Sequence, residues 1–68
     1  MTLALTINGE PRTITDAGTV EELLSQLHLD PRAVVVEVNR KIIRRAAIAV
    51  TPVADGDAVE IVHFVGGG

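Results

Sequence analysis

The residues best suited to chemistry stand at the end of the printed sequence, where Phe64 and Val65 are followed by Gly66, Gly67 and Gly68. Glycine has no side chain to pack and loses more conformational freedom on ordering than any other residue. A bare backbone can enter a narrow channel, and a carbonyl without a neighbouring Cβ is open to nucleophiles. The glycines therefore indicate either a frayed or cloned end or a flexible tail, residues 66–68, that delivers its terminal carboxylate into another protein.

Other side chains offer weaker chemistry. His28 and His63 are far apart in the sequence, with no third ligand arranged around them, so neither is predicted to bind a metal. Asp55 and Asp57 flank Gly56, a pattern typical of a turn. The chain has no cysteine, which excludes a disulfide, a thiolate zinc site and a thiol nucleophile of its own.

Basic residues are concentrated in one stretch, in which Arg40, Lys41, Arg44 and Arg45 hold four of the six positive charges. Charged side chains on a strand edge discourage aggregation, which is one interpretation of this cluster. The other is a patch that faces an acidic groove of a partner, and both stay open here. Lys41 is the only lysine, so a ubiquitin-style chain on this protein is not expected.

The size and composition of the chain predict one small folded domain. Its 68 residues are 47% hydrophobic and 22% charged, a balance that disordered chains do not have. A net charge of −3 and a single aromatic residue argue against a nucleic-acid partner. No apolar run approaches the ~20 residues of a membrane span, and the first residues lack a signal-peptide layout. We therefore expect a cytoplasmic protein, with neither nucleic acid nor membrane as a partner.

The first half of the chain predicts a hairpin and a helix. Large apolar residues alternate in residues 3–8, Asn-Gly at 8–9 is a strong hairpin signal, and residues 12–15 form the returning strand. Thr19 and Glu22 fit a capping box at the start of an amphipathic helix. The apolar stripe of that helix is expected to comprise Val20, Leu23, Leu24 and Leu27, and the helix to stop near residue 28 or 29, before Pro31.

The second half predicts three strands, at residues 33–38, 41–44 and 58–65, with turns at 39–40 and 55–57. Residues 46–53 have no clean period and are expected to form an irregular connection with one short helical turn. In the last strand, Val59 and Ile61 should point to one face, and Glu60, Val62 and Phe64 to the other.

This order of elements predicts an α+β fold, in which one helix packs across a mixed sheet of four to five strands. The first and last strands should be central and parallel, since both are long and strongly apolar on one face. The order is that of the β-grasp, or ubiquitin-like, roll. We expect a β-grasp domain over residues 1–65 and a flexible glycine tail over 66–68.

Several stretches of the chain resemble one known family. They are Gly-Thr-Val-Glu-Glu-Leu-Leu at 18–24, Val-Glu-Val-Asn at 36–39, Arg45 after two isoleucines, and Asp-Gly-Asp-Ala-Val-Glu-Ile-Val-His-Phe-Val-Gly-Gly-Gly at 55–68. With them the sequence resembles the sulfur carriers of thiamin (thiazole) biosynthesis, a ubiquitin-like β-grasp family. It departs from the family at Arg44, where proline is frequent, and at Ile48, where tryptophan is frequent.

The resemblance implies a co-substrate rather than an enzyme. An E1-like adenylyltransferase would use ATP to adenylate the carboxylate of Gly68, and a cysteine desulfurase-type or rhodanese-type donor would supply sulfur. The resulting thiocarboxylate would donate its sulfur to thiazole synthase, and the chain itself would bind no cofactor. Gly66 and Gly67 would give access to the terminus, whereas Val62 and Phe64, an exposed apolar pair, would dock on the activating enzyme.

Three other functions stay open at this point. The chain could be the sulfur-carrying small subunit of molybdopterin synthase, although that family is usually longer and richer in aromatic residues near its end. It could be a ubiquitin-like protein modifier that is conjugated through Gly68 to lysines of its targets. It could also be a plain interaction module whose tail is inert.

Overall fold

The computed structural model describes residues 2–64 as five strands and one helix. The elements are β1 (Thr2–Ile7), β2 (Glu10–Thr15), α1 (Val20–Gln26), β3 (Val34–Val38), β4 (Lys41–Ile43) and β5 (Ala58–His63), with 3₁₀ turns at Pro31–Ala33 and Arg45–Ala47. The strands form one sheet in the order β2-β1-β5-β3-β4. The predicted boundary between a domain at 1–65 and a tail at 66–68 lies outside the described residues.

The sheet is mixed, as predicted. Its neighbours β1 and β5 are parallel, whereas β1–β2, β3–β5 and β3–β4 are antiparallel pairs. The predicted α+β β-grasp arrangement, with the first and last strands adjacent and parallel inside the sheet, is confirmed.

The first hairpin forms because its sequence alternates and then turns. Leu3, Leu5 and Ile7 are buried while their neighbours are exposed. Asn8 and Gly9 adopt φ values of 52° and 83°, in the left-handed region that Asn and Gly tolerate best. Strand β2 begins at Glu10, two residues earlier than predicted, because Pro11 lies in this edge strand, where a missing N–H costs little.

The backbone N–H groups at the start of α1, which have no acceptor within the helix, all donate to acceptors outside it or to its capping side chains. The Thr19 hydroxyl accepts from the Glu22 N–H at 3.2 Å, and the Glu22 carboxylate accepts from the Thr19 N–H at 3.1 Å, which confirms the predicted capping box. The Val20 N–H donates to the Thr51 carbonyl at 2.9 Å, and the Glu21 N–H donates to the Ile48 carbonyl at 3.1 Å. The irregular connection therefore caps the helix by its backbone, which sequence reasoning did not foresee.

The helix ends at Gln26, two to three residues earlier than predicted, in a Schellman arrangement. The His28 N–H donates to the Ser25 carbonyl at 3.1 Å, and the Leu29 N–H donates to the Leu24 carbonyl at 2.9 Å. His28 has φ 60°, the left-handed conformation that such a helix end requires. Proline at 31 therefore follows an end that is already closed.

The core lies between α1 and one face of the sheet. It consists of apolar side chains only, and none of residues 2–64 buries a polar side chain. Its members are Leu3, Leu5, Ile7, Ile14, Ala17, Val20, Leu23, Leu24, Val34, Val36, Val38, Ile48, Val53, Val59 and Ile61. Leu27, predicted in the stripe of α1, is half-buried against this core.

The predicted turn at residues 55–57 hydrogen-bonds to β1 and to the turn after β3, the two strands that flank β5 in the sheet. Asp55 accepts from the Ala4 N–H at 2.7 Å, and Asp57 accepts from the Ala54 N–H at 2.8 Å and from the Asn39 side chain at 3.0 Å. These aspartates are therefore turn formers, as the sequence indicated. They fix the start of β5, the strand that leads to the glycines.

Candidate functional site

An apolar surface lies on the outer face of the sheet, beside the end of β5. Val62 is 63% exposed and Phe64 is 58% exposed, as the alternation in β5 predicts. Val35 lies directly opposite Val62 in β3, and Ile42 of β4 is 67% exposed on the same face. We call Val35, Ile42, Val62 and Phe64 the outer patch.

Backbone pairing holds the end of this patch on the sheet. The Phe64 N–H donates to the Ala33 carbonyl at 2.9 Å, so the ladder between β3 and β5 continues one residue past His63. Gly66, Gly67 and Gly68 follow Phe64 closely in the sequence but lie outside the described residues. A trans chain extends at most ~3.5 Å per residue, so the four residues after Phe64 reach about 14 Å at most. Any partner that acts on Gly68 must therefore come close to the outer patch.

Asn8 has a second role that the turn prediction missed. Its side-chain oxygen accepts from the Ile61 N–H at 2.7 Å, and its side-chain nitrogen donates to the Ile61 carbonyl at 3.1 Å. Strand β1 pairs with β5 only over Thr6 and Ile7, so this side chain replaces a strand neighbour further along β5. Strand β5 is thereby hydrogen-bonded on both edges as far as Ile61, and Val62 and Phe64 continue it along β3. An Asn at a turn signals only the turn, and the partner of its amide depends on the packing.

The fold separates the basic cluster into two pairs. Arg40 lies in the turn between β3 and β4 and Lys41 is the first residue of β4, whereas Arg44 and Arg45 follow the other end of β4. Arg44 and Arg45 line a groove together with Phe64. A guanidinium nitrogen of Arg45 donates to the Arg32 carbonyl at 3.3 Å, which fixes that side chain near the end of β5.

One ion pair lies next to this groove. Arg32 and Asp30 are 3.3 Å apart, and hydrogen bonds from the Arg32 side chain and backbone hold the pKa of the Asp30 carboxyl below its usual range. Asp30 also accepts from the Arg32 N–H at 2.8 Å and so caps the 3₁₀ turn. The pair orders the turn whose last carbonyl, at Ala33, binds Phe64.

The histidines lie at separate features. His63 lines a groove with Asn8, Arg12 and Leu29, and His28 ends α1. Among residues 2–64, no three His, Asp or Glu side chains are grouped so as to hold a metal ion. Over the same range no helix has the length and apolar character that crossing a bilayer requires.

Sequence reasoning placed Val62 and Phe64 on the exposed face, and the structure brings them together with two residues that it missed. Val35 belongs to a run of valines in which the buried members, at every second position, are easily recognised. Ile42 is followed by Ile43, and only the register with β3 decides which of the two faces outward. That Val62 and Phe64 dock a partner stays a prediction.

The comparisons with known proteins agree on one family. The model of the ThiS family matches residues 5–68. The chain is 47% identical over 66 residues to a thiazole synthase of Paramagnetospirillum magneticum, a match that covers 97% of this chain and 20% of that protein. It is 43% identical over 53 residues to the sulfur carrier protein ThiS of Bacillus subtilis, covering 78% of this chain and 80% of the relative.

A solved structure shows the same fold. The crystal structure of the thiamine biosynthesis protein ThiS from Geobacter metallireducens superposes with a TM-score of 0.80, at 45% identity and with 100% of both chains covered. The chain spans about a fifth of the thiazole synthases it matches and most of the separate carrier proteins. From the match over residues 5–68 and the shared fold, the chain belongs to the ThiS family, as its sequence stretches indicated.

Proposed function

We propose that this chain is a sulfur carrier protein of thiamin biosynthesis and that it carries sulfur as a thiocarboxylate at Gly68. The observation that supports this most is the geometry of β5. Strand β5, hydrogen-bonded on both edges as far as Ile61 and to Ala33 at Phe64, displays Val62 and Phe64 on its outer face a few residues before the glycines. Separate relatives of similar length are named sulfur carrier proteins.

Activation has to come first, because a carboxylate is a poor electrophile. In the proposed step an oxygen of the Gly68 carboxylate attacks the α-phosphorus of ATP, the bond to pyrophosphate breaks, and an acyl-adenylate forms. An E1-like adenylyltransferase would catalyse this step and would hold the ATP. The carrier contributes the terminus and, through Val62 and Phe64, the surface that docks on that enzyme.

Sulfur then replaces the adenylate. The terminal sulfur of a persulfide attacks the Gly68 carbonyl, the bond to AMP breaks, and an acyl disulfide results. A second thiol cleaves its S–S bond, so that the electrons of the thiol leave a thiocarboxylate on Gly68 and a disulfide on the donor side. This chain has no cysteine, so both sulfur groups must belong to partners. A donor of the cysteine desulfurase or rhodanese type fits this requirement.

The carrier is then consumed and regenerated as a co-substrate, without catalysing a step. Thiazole synthase is the proposed acceptor, which is supported by the thiazole synthases that contain a region similar to this chain. Gly66 and Gly67 serve access, since a bare backbone can enter a narrow active site. The proposal places these reactions in the cytoplasm.

Intact-mass measurement tests the proposal. After incubation with ATP, a persulfide donor and the activating enzyme, the chain should gain the mass difference between sulfur and oxygen. A variant that lacks Gly68, and one with an alanine added after it, should gain nothing. An unchanged mass of the native chain under these conditions would contradict the proposal, and a product joined to a target lysine would show a protein modifier instead.

A further inference from the structure

The basic residues beside Phe64 line a groove where the sheet is incomplete. Strand β4 pairs with β3 only over Val36–Val38, so no strand of residues 2–64 covers the edge of β3 at Val34 and Val35 on that side. The groove at this edge combines apolar side chains of β3 and β4 with Phe64, Arg44 and Arg45. We call it the tail-root groove, since Phe64, which precedes Gly66 by two residues, lines it.

Neither arginine of this groove forms an ion pair with a carboxylate of residues 2–64, although the charge of Arg45 helps to lower the pKa of the Asp30 carboxyl. Arg44 has no carboxylate partner among residues 2–64, and the guanidinium of Arg45 donates to a neutral carbonyl, that of Arg32. The chain as a whole carries a net charge of −3. Positive charge is therefore placed locally, against the overall sign of the protein, next to an exposed apolar surface. Such a combination is complementary to an apolar side chain flanked by carboxylates.

Because few residues separate Phe64 from Gly68, this groove must lie in the interface with any enzyme that acts on Gly68 inside a cleft. Four residues after Phe64 span about 14 Å at most. An enzyme whose reacting atoms lie inside a cleft can reach Gly68 only if the mouth of that cleft contacts the surface around Phe64. The tail-root groove belongs to this surface, because Phe64 lines it.

We propose that the tail-root groove receives an acidic, apolar-tipped element of thiazole synthase and that Arg44 is the specificity-determining cation of that contact. The inference rests on the proposed function. Thiazole synthases with a region similar to this chain carry it in the same polypeptide, where covalent linkage supplies a high effective concentration. A carrier that acts on a synthase of another polypeptide lacks that advantage and must hold the synthase by surface contacts while sulfur is transferred.

Two charge reversals at opposite ends of β4 form the test. Arg44→Glu and Lys41→Glu each change the net charge from −3 to −5, and both residues are exposed. The effect of net charge on the long-range attraction between carrier and synthase is therefore the same in both variants. Affinity for the thiazole synthase of the same organism is measured by calorimetry at low and high ionic strength. We expect Arg44→Glu to weaken binding roughly tenfold at low salt and to flatten its salt dependence, whereas Lys41→Glu changes it less than about twofold.

A second pair of variants tests the apolar half of the groove. Ile42→Ser, at a side chain that is 67% exposed and lines the groove, should weaken binding several-fold. Val50→Ser is its control, because Val50 is 74% exposed but belongs to the connection after Arg45–Ala47. Thermal midpoints of all four variants should stay close to that of the native chain, since none of these side chains is buried.

Three results would overturn the inference. Equal weakening by Arg44→Glu and Lys41→Glu would show an effect of net charge alone. Unchanged binding by both Arg44→Glu and Ile42→Ser would show that the groove is not in the interface. Slower thiocarboxylate formation with unchanged synthase binding would assign the groove to the activating enzyme. Failure of the proposed function is separate, because it appears as a native chain that never gains sulfur mass, whatever the binding data.

Discussion

The two faces of β5 use the same residue types for opposite purposes. On the inner face Val59 is 1% exposed and Ile61 is buried, whereas on the outer face Val62 is 63% exposed and Phe64 is 58% exposed. The inner residues remove apolar area from water within the domain. The outer residues keep apolar area in water, which monomeric proteins do mostly where they bind something. Hydrophobicity in this strand therefore marks two surfaces, one that packs beneath α1 and one that we propose contacts a partner.

The largest effect should come from the same substitution on the two faces. Val59→Ala removes two methyl groups from the packed core and should lower the free energy of unfolding by about 2–3 kcal/mol. Val62→Ala should change it by less than about 0.5 kcal/mol, because water already reaches that side chain. Urea unfolding of both variants measures this. A similar decrease in the free energy of unfolding in both variants would show that Val62 stabilises the domain as Val59 does and is not left exposed for a partner.

An intermediate effect should appear in function alone. Phe64→Ser should lower the rate of thiocarboxylate formation at limiting carrier concentration by roughly tenfold, since an exposed aromatic residue in an interface is a frequent hot spot. Its unfolding free energy should stay within about 0.5 kcal/mol of the native value. Val50→Ser is the control, because Val50 is also an exposed apolar residue but lies outside the sheet, and it should leave the rate unchanged. A native rate for Phe64→Ser would remove the outer patch from the docking surface.

The smallest effect should come from Asn8, whose side chain is hydrogen-bonded to Ile61 of β5. Asn8→Gly keeps the left-handed turn, at φ 52° in the native chain, but removes both hydrogen bonds to Ile61. We expect a loss of about 1 kcal/mol. Hydrogen exchange should show faster opening at residues 61–64 than at the start of β5. Uniform protection along β5 in this variant would show that the ladder with β3 is sufficient by itself.

Much of the fold was predictable because the signals are local. Alternation in β1 and β5, the capping box of Thr19 with Glu22, and the turn at Asn8 and Gly9 depend on neighbouring residues alone. The end of α1 was placed too late because a histidine, rather than a glycine, occupies the left-handed position after it. Strand β2 was predicted at residues 12–15 and extends back to Glu10, because its pairing with β1 includes Pro11, which an edge strand tolerates.

The candidate site was only half predictable for the same reason. Val62 and Phe64 follow from the period of their own strand, but Val35 and Ile42 join them through cross-strand register. The basic cluster is one short stretch of the sequence, but its two pairs are at opposite ends of β4. No local pattern shows that β4 stops short of Val34 and Val35 and leaves the groove beside Phe64.

The sequence by itself determined the order of the elements, which side chains of each strand are apolar and where the glycines stand, since periodicity, capping and turn chemistry act over a few residues. Only the tertiary structure decided which apolar side chains share the outer patch and which cations adjoin it. It also decided that the carbonyls of Ile48 and Thr51 complete the start of α1. Those outcomes depend on strand offsets and on contacts between segments far apart in the chain, whose free energies appear only when the core is packed.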